Sequence, residues 1–294
     1  MLLSDDIILN GGRAIAKSYA KINLTLDVLG RMENGYHEIE MVMQTVNLFD
    51  LVIVDRQEHG IRISTNLRYL PNNEKNIAYK ACMEFFAYTK RQGGAKILIH
   101  KNIPVAAGLA GGSGNGAAVL CALDLLYGTR LTLEELCMLG QRLGADVPYC
   151  ITGGTQLAKG IGEQLTPLPP LPKTTVLLVK PPINVSTPAI YAQMDAAPIP
   201  ERPDKAAMLA ALAAGDVPAV SGLLCNVMEQ VTRAQFPVIG GIKKKLLLNG
   251  ALGASMSGSG PTVFGFFSDD AAAKQSADSF STMYKDVFLT KTIQ

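Results

Sequence analysis

Between Lys101 and Leu120 the chain reads KNIPVAAGLAGGSGNGAAVL, an apolar approach, a glycine-crowded turn and an alanine-rich, helix-forming run. Gly108, Gly111, Gly112, Gly114 and Gly116 leave little side chain in the way, so successive backbone N–H groups can face an anion. The helix that follows adds its positive N-terminal dipole. A flexible linker would be richer in polar residues and would not be clasped by apolar segments. The stretch therefore demands a strand, a tight turn and a helix in succession, with phosphate as the ligand such a turn suits.

It is not either of the common nucleotide loops. A Walker loop ends in Gly-Lys-[Ser/Thr], whereas Gly112 is followed by Ser113 and Gly114. A dinucleotide fingerprint follows the first strand of a βαβ unit and is answered by an acidic residue about twenty positions on, and Asp124 comes too early.

The chain has 294 residues, 48% of them apolar and 18% charged, which allows two domains with substantial cores. A net charge of +2 gives no electrostatic footprint for nucleic acid or membrane, so an anionic ligand must be held by local groups. No stretch reaches the roughly eighteen apolar residues of a spanning helix, and the start of the chain is unlike a secretory signal. A cytoplasmic protein is expected. Five scattered cysteines without a C-x-x-C pair suggest neither a disulfide framework nor a zinc site.

Alternation predicts strands over 18–30, 46–54 and 61–65, and KILIH at 96–100 leads into the glycine turn. Helical spacing predicts helices over 76–90, 115–127 and 132–143, the last opened by Thr132 with Glu134 and Glu135 behind it. Pro167, Pro169, Pro170 and Pro172 disrupt regular structure at 164–173, the best place for a boundary. Beyond it a strand (174–180), helices (205–214 and 237–249), a strand (261–267), a helix (269–284) and a strand (286–291) alternate as in a split βαβ domain. The expected domains are 1–163 and 164–294.

Three further islands hold more glycine and polar residues than packing needs. In 20–40 Lys21 lies within a strand pattern and either points to solvent or meets an anion, since a buried lysine without a partner is costly. Asn34-Gly35 there makes a turn that presents Tyr36 and His37. In 144–163 Asp146 sits among apolar neighbours and, unless it caps a helix, is a candidate general base or magnesium ligand. In 255–265 a second glycine-rich turn precedes an apolar strand, where glycines can simply let two backbones approach.

Taken together, Ala20-Lys21-Ile22-Asn23-Leu24, Gly35-Tyr36-His37, Ile103-Pro104 with Gly108-Leu109-Ala110-Gly111-Gly112-Ser113, Gly144-Ala145-Asp146-Val147-Pro148 and Gly258-Ser259-Gly260-Pro261 resemble the GHMP small-molecule kinases. Gly-Tyr-His with Gly-Ala-Asp-Val-Pro narrows the resemblance to the branch whose substrate is a cytidine diphosphate-linked methylerythritol. The likeness runs from about residue 16 onward, and the first fifteen residues read as an extra leader. It implies an α+β, two-domain architecture: an ATP-binding ribosomal-protein-S5-like N-terminal domain and a ferredoxin-like C-terminal domain, with both substrates in a deep cleft.

By the same resemblance the reaction is ATP-dependent phosphorylation of the substrate's 2-hydroxyl in the non-mevalonate isoprenoid route. Asp146 would accept the hydroxyl proton and Lys21 would stabilise the charges of the carboxylate and the incoming phosphoryl group. Asn23 would orient the acceptor; Tyr36, His37 and Tyr191 would surround the cytosine, with Thr187 nearby. Pro104, Gly108, Leu109, Ala110, Gly111, Gly112, Ser113 and Gly114 would line the ATP phosphates, and Asn76 and Lys101 the adenine. ATP and Mg2+ are the implied cofactors, with no residue assigned as a metal ligand. The implied partner is the small-molecule substrate, without nucleic acid or membrane, and nothing in the sequence sets an oligomeric state.

One departure stands out. The family pattern Ser-Ser-[Asp/Asn]-Ala-Ala is here Ser113-Gly114-Asn115-Gly116-Ala117, which removes a hydroxyl expected near the metal and the phosphates. A mevalonate or homoserine kinase is the alternative within the family, disfavoured by Gly35-Tyr36-His37 because those substrates carry no base. A non-catalytic metabolite-binding relative is the alternative outside enzymology, and the presence of both Lys21 and Asp146 weighs against it.

Overall fold

A computed structural model describes residues 6–196 and 199–294. The chain forms two compact units that are discontinuous in sequence. The first takes the residues up to Ala20, Leu48–Val105 and Ala110–Gly153, and the second takes Lys21–Asn47, Ala106–Leu109 and Gly154–Gln294. The division falls inside two long strands, Arg13–Arg31 and His37–Gln57.

In the first unit Gly94–His100 runs antiparallel to Leu51–Gln57 and parallel to Gly60–Thr65. Apolar residues on alternate positions, Val52, Val54, Ile97 and Ile99 among them, turn one sheet face inward. Helices Ile77–Thr89, Gly111–Tyr127 and Leu133–Leu143 supply the other side of this core through Phe85, Leu120, Leu123 and Leu139. Helix Leu133–Leu143 begins with a full capping box between Thr132 and Glu135, as its sequence predicts. Part of the supposed leader is folded: Ile8–Asn10 pairs with Arg13–Ile15 as a hairpin turned by Gly11 and Gly12, and Ala14 is buried.

The second unit carries a four-stranded antiparallel sheet in the order Gly253–Met256, Val263–Phe267, Thr175–Lys180, Asp286–Lys291. Val176–Val179 are buried on both faces, as are Phe264, Phe266 and Phe267, so these strands read as continuous apolar runs. Here also Met41–Gln44 pairs with Thr155–Ala158, which pairs in turn with Gln164–Pro167. The proline-rich segment thus opens with a short strand that alternation did not suggest, with Pro167 at its last residue, where a missing N–H is tolerated.

The expected α+β class holds. Strand His37–Gln57 is longer than alternation predicts, because Met41, Val42, Met43 and Gln44 are all buried and no two-residue period survives there. Helices Val147–Thr152, Thr187–Met194, Val217–Gly222 and Val227–Gln235 were also not anticipated. Three of them are too short to establish a period; Val227–Gln235 is amphipathic, burying Val227, Met228 and Thr232 behind its cap Asn226.

Candidate active site

The glycine turn does not loop freely before its helix. Gly111, Gly112, Ser113 and Gly114 are themselves the first turn of helix Gly111–Tyr127, four residues earlier than periodicity placed its start. Ala110 precedes it with a left-handed φ of 56°, and its side chain caps nothing. The Gly114 N–H closes the turn onto the Ala110 carbonyl at 2.8 Å. The N–H groups of Gly111, Gly112 and Ser113 have no acceptor within the helix, which is the electropositive end an anion needs.

Each glycine has its own steric reason. A Cβ on Gly111 would lie 2.9 Å from Ile103 Cγ2 and 3.2 Å from Lys101 Nζ, while one on Gly112 would meet nothing within 4 Å. A Cβ on Gly114 would sit 2.6 Å from the Ser18 hydroxyl. The hydroxyl that the resemblance leads one to expect at 114 therefore has a neighbouring hydroxyl already against its position.

Beneath this turn lies a buried polar network that sequence reading missed. Asp50, 0% exposed, accepts the N–H groups of Asn102 and Ile103 on Oδ1, both at 2.8 Å. Its Oδ2 accepts the Lys101 ammonium and, at 2.9 Å, the Asn115 amide. Lys101 Nζ donates further to Asn115 Oδ1 at 3.0 Å and to the Gly111 carbonyl at 3.4 Å. Asn115 Nδ2 also donates to Ser18 Oγ at 3.1 Å. Burial holds the Lys101 ammonium below the ordinary lysine range, with Asp50 opposing the shift.

Other residues singled out in the first unit have definite places. Asn76 is the N-cap of Ile77–Thr89: its Oδ1 accepts from the Ala78 N–H at 3.0 Å and its Nδ2 donates to the Pro71 carbonyl at 2.8 Å. Pro104 is half-buried. Asp146 stands at the N-cap of Val147–Thr152 in an α-helical conformation, half-buried, and its carboxylate makes no capping hydrogen bond. A helix cap would have been its structural reason, and that reason is absent.

In the second unit Lys21 is 4% exposed, which excludes the solvent-pointing alternative. Strand residues Ile22, Leu24 and Leu26 face the core, yet Lys21, Asn23 and Thr25 on the opposite face are buried as well. Lys21 Nζ donates to Asn23 Oδ1 at 2.7 Å and to the Gly108 carbonyl at 3.1 Å. Among the described residues no carboxylate lies within salt-bridge reach of it. A buried ammonium held by neutral acceptors alone has its charge uncompensated.

The second glycine-rich turn makes this arrangement possible. The Gly258 N–H donates to Asn23 Oδ1 at 2.9 Å and the Ser257 hydroxyl to the Gly108 carbonyl at 2.9 Å. Asn226 holds the turn from below, its Nδ2 donating to the carbonyls of Met256 and Gly258. A Cβ on Gly108, where φ is +75°, would stand 2.2 Å from the Ser257 carbonyl oxygen, so close backbone approach is enforced here. The buried Leu109 fixes the strand with its carbonyl, which accepts the Lys21 N–H at 3.2 Å.

The same unit gathers the residues expected at a base. His37 and Tyr191 stack with ring centroids 4.4 Å apart and planes 14° from parallel, so each presents one covered face to the other. The His37 Nε2 lies 2.7 Å from an Asp195 oxygen. Tyr36 is 59% exposed on the turn that Asn34 closes by accepting its N–H. The Thr187 and Ser259 hydroxyls are 2.7 Å apart.

Among the described residues no group of three or more His, Cys, Asp or Glu side chains is arranged to hold a metal, and no helix is long and apolar enough to cross a membrane.

Comparison with known proteins agrees with these observations. Residues 76–154 match the family model of the GHMP kinases N terminal domain, and residues 208–286 that of the GHMP kinases C terminal domain. A 4-diphosphocytidyl-2-C-methyl-D-erythritol kinase of Alkaliphilus metalliredigens is 46% identical over 94% of this chain and 95% of its own. One from Lachnospira eligens is 49% identical over 86% of this chain and 88% of its own. A crystal structure of 4-(cytidine 5'-diphospho)-2C-methyl-D-erythritol kinase superposes with a TM-score of 0.82 at 30% identity, covering 95% of this chain and 99% of the other. A homoserine kinase of Cytophaga hutchinsonii shares the fold, with a TM-score of 0.74 at 19% identity over 97% and 99% of the two chains. The chain belongs to the GHMP kinases and, within them, to the family of the 4-diphosphocytidyl-2-C-methyl-D-erythritol kinases.

Proposed function

We propose that this chain transfers the γ-phosphoryl group of ATP to the 2-hydroxyl of 4-diphosphocytidyl-2-C-methyl-D-erythritol, in the non-mevalonate route to isoprenoid precursors. The observation that carries this reading is Lys21, an ammonium buried at 4% exposure whose partners among the described residues are Asn23 and the Gly108 carbonyl. Such a charge stabilises the phosphoryl oxygens most when charge builds on them in transfer. Asn23, fully buried and held by Gly258, keeps the ammonium in place.

The other roles follow from chemistry and family membership. Asp146, whose carboxylate caps nothing, takes the hydroxyl proton as the acceptor oxygen bonds to phosphorus and the bond to the ADP oxygen breaks. The N–H groups of Gly111, Gly112 and Ser113 take the phosphates, in the stretch from Pro104 through Gly114. His37 and Tyr191, with Tyr36 and Thr187 beside them in the sequence pattern, bind the cytosine; the stacked pair offers a flat, rigid surface to a base. Asn76 and Lys101 act on the adenine side through the backbone they fix, since both side chains are already engaged.

Mg2+ fits a site of this kind because it keeps water and phosphate oxygens as most of its ligands and needs no protein cage. The Ser113 hydroxyl and Asp146 carboxylate are the oxygens this chain would add, and the ion would neutralise phosphate charge. A cytoplasmic location suits an enzyme that consumes ATP.

The test is ADP release measured with ATP alone and with the cytidine compound, mevalonate or homoserine. Release that requires the cytidine compound supports the proposal. Release with mevalonate or homoserine instead, or ATP binding without turnover on any acceptor, overturns it.

A further inference from the structure

We propose that Asp50 is a positioning residue for phosphate binding: through Lys101 and Asn115 its carboxylate sets the first turn of helix Gly111–Tyr127 in the orientation that receives the ATP phosphates. This rests on reading that turn as the phosphate cradle.

Helix Gly111–Tyr127 has no side-chain cap to define its start, since Ala110 occupies the N-cap with a left-handed backbone. Something else must fix the direction of the three exposed N–H groups. Glycine at 111, 112, 114 and 116 gives this first turn and a half little helix propensity of its own. The network reaches it at two points, Lys101 on the Gly111 carbonyl and Asp50 with Lys101 on the Asn115 amide.

The anchor itself is rigid. Both Asp50 oxygens are saturated, one by two backbone N–H groups at the end of the strand Gly94–His100 and the other by Lys101 and Asn115. Strand and helix are thereby joined across the nine residues between Lys101 and Gly111 by an ion pair whose side chains are 5% and 0% exposed. A carboxylate and an ammonium needed only for packing would be cheaper as an apolar pair. Their placement under an uncapped, glycine-rich helix start gives the pair a directional task. The glycine at 111 belongs to the same device, because any side chain there would run into Ile103 and the Lys101 head.

Two variants test this in the full chain. Asp50→Asn keeps shape and loses charge; Asn115→Leu leaves the Asp50–Lys101 pair intact and removes its side-chain link to the helix, with only the longer Lys101 contact to the Gly111 carbonyl left. Tripolyphosphate and adenosine are used as separate competitive probes against ATP. Misplaced donors should weaken tripolyphosphate by about tenfold or more in both variants, with adenosine changed less than about twofold in Asn115→Leu, where Lys101 keeps Asp50, and Asn115→Gln restoring part of the loss. Equal losses for both probes in Asn115→Leu, or tripolyphosphate binding unchanged there, would overturn the proposal. Should Asp50→Asn fail to fold, Asn115→Leu alone decides. If the unaltered protein does not bind tripolyphosphate at all, the cradle reading falls and this proposal with it; binding by the unaltered protein that the variants retain sinks only the role of Asp50.

Discussion

The Ser18 hydroxyl lies 2.6 Å from where a Cβ on Gly114 would be, and it is itself bonded to the Asn115 amide at 3.1 Å. Gly114→Ser, the obvious repair of the missing hydroxyl, therefore forces Ser18 aside and breaks a buried bond. Overpacking of this kind costs about 1–3 kcal/mol. The single variant should melt lower than the parent, and Ser18→Gly combined with Gly114→Ser should recover most of the loss. Thermal melts of the two singles and the double give the coupling directly; strict additivity would show that the two positions do not compete for space.

Gly111 and Gly112 should respond in opposite ways to alanine. At Gly111 the new methyl meets Ile103 and Lys101, so stability falls. At Gly112 it meets nothing within 4 Å, so stability should rise by roughly 0.5–1 kcal/mol from helix propensity alone. Because the proposed phosphates approach that open side, Gly112→Ala should nevertheless weaken ATP. A stabilised Gly112→Ala protein with unchanged ATP affinity would place the phosphates elsewhere.

Strand Arg13–Arg31 shows both what sequence reveals and what it hides. Alternation identifies the strand but leaves Lys21 between solvent and an anion, because burial of its face depends on Gly108, Ser257 and Gly258, distant in sequence. Asp50 carries a signal of its own in the sequence. It shares parity with the buried Val52 and Val54, so alternation alone points a carboxylate inward. Where no parity exists, as at Met41–Gln44, the strand escaped notice. Composition marks the glycine turn and suggests an anion there, while its helical character is not legible, since four small residues have little propensity to announce a helix.

Lys21→Met and Asp146→Asn should separate chemistry from folding. Removing the Lys21 charge leaves Asn23 bonded to Gly258 and the Gly108 carbonyl bonded to Ser257, so the fold should hold. Asp146→Asn removes no capping bond. Each should lower kcat by about a hundredfold or more with little change in melting temperature. A variant that turns over near the parental rate, or that loses only stability, removes its residue from the mechanism.

Burial pushes the thiols of Cys82 and Cys121 from 9.0 up to about 12. Both groups keep their protons longer in the folded chain than in the unfolded one. Their contribution to stability is therefore complete below pH 9 and is lost as the pH climbs toward 12. Denaturant melts across that range should show a shallower alkaline decline for Cys82→Ala with Cys121→Ala than for the parent. At pH 8 a thiol reagent should find both cysteines only after unfolding; rapid labelling of either in the native protein would contradict the burial.

Tyr191 bears on specificity, because its ring lies flat against His37 and the pair forms one surface. Tyr191→Ala removes that surface and frees His37 to turn about its bond to Asp195. The KM for the cytidine compound should rise by an amount consistent with losing about 1–3 kcal/mol of base stacking, a value drawn from nucleic-acid complexes. Tyr191→Phe keeps the ring and should restore most of the affinity. Helix Thr187–Met194 buries Ile190 and Met194 and leaves Tyr191 half-buried, so alanine there should disturb the core little. Calorimetry with each ligand separately decides between the roles. A loss confined to the cytidine compound assigns Tyr191 to the base; equal losses for ATP and the cytidine compound would make it a packing residue, and the preference for this substrate over those of other GHMP kinases would have to come from elsewhere in the chain.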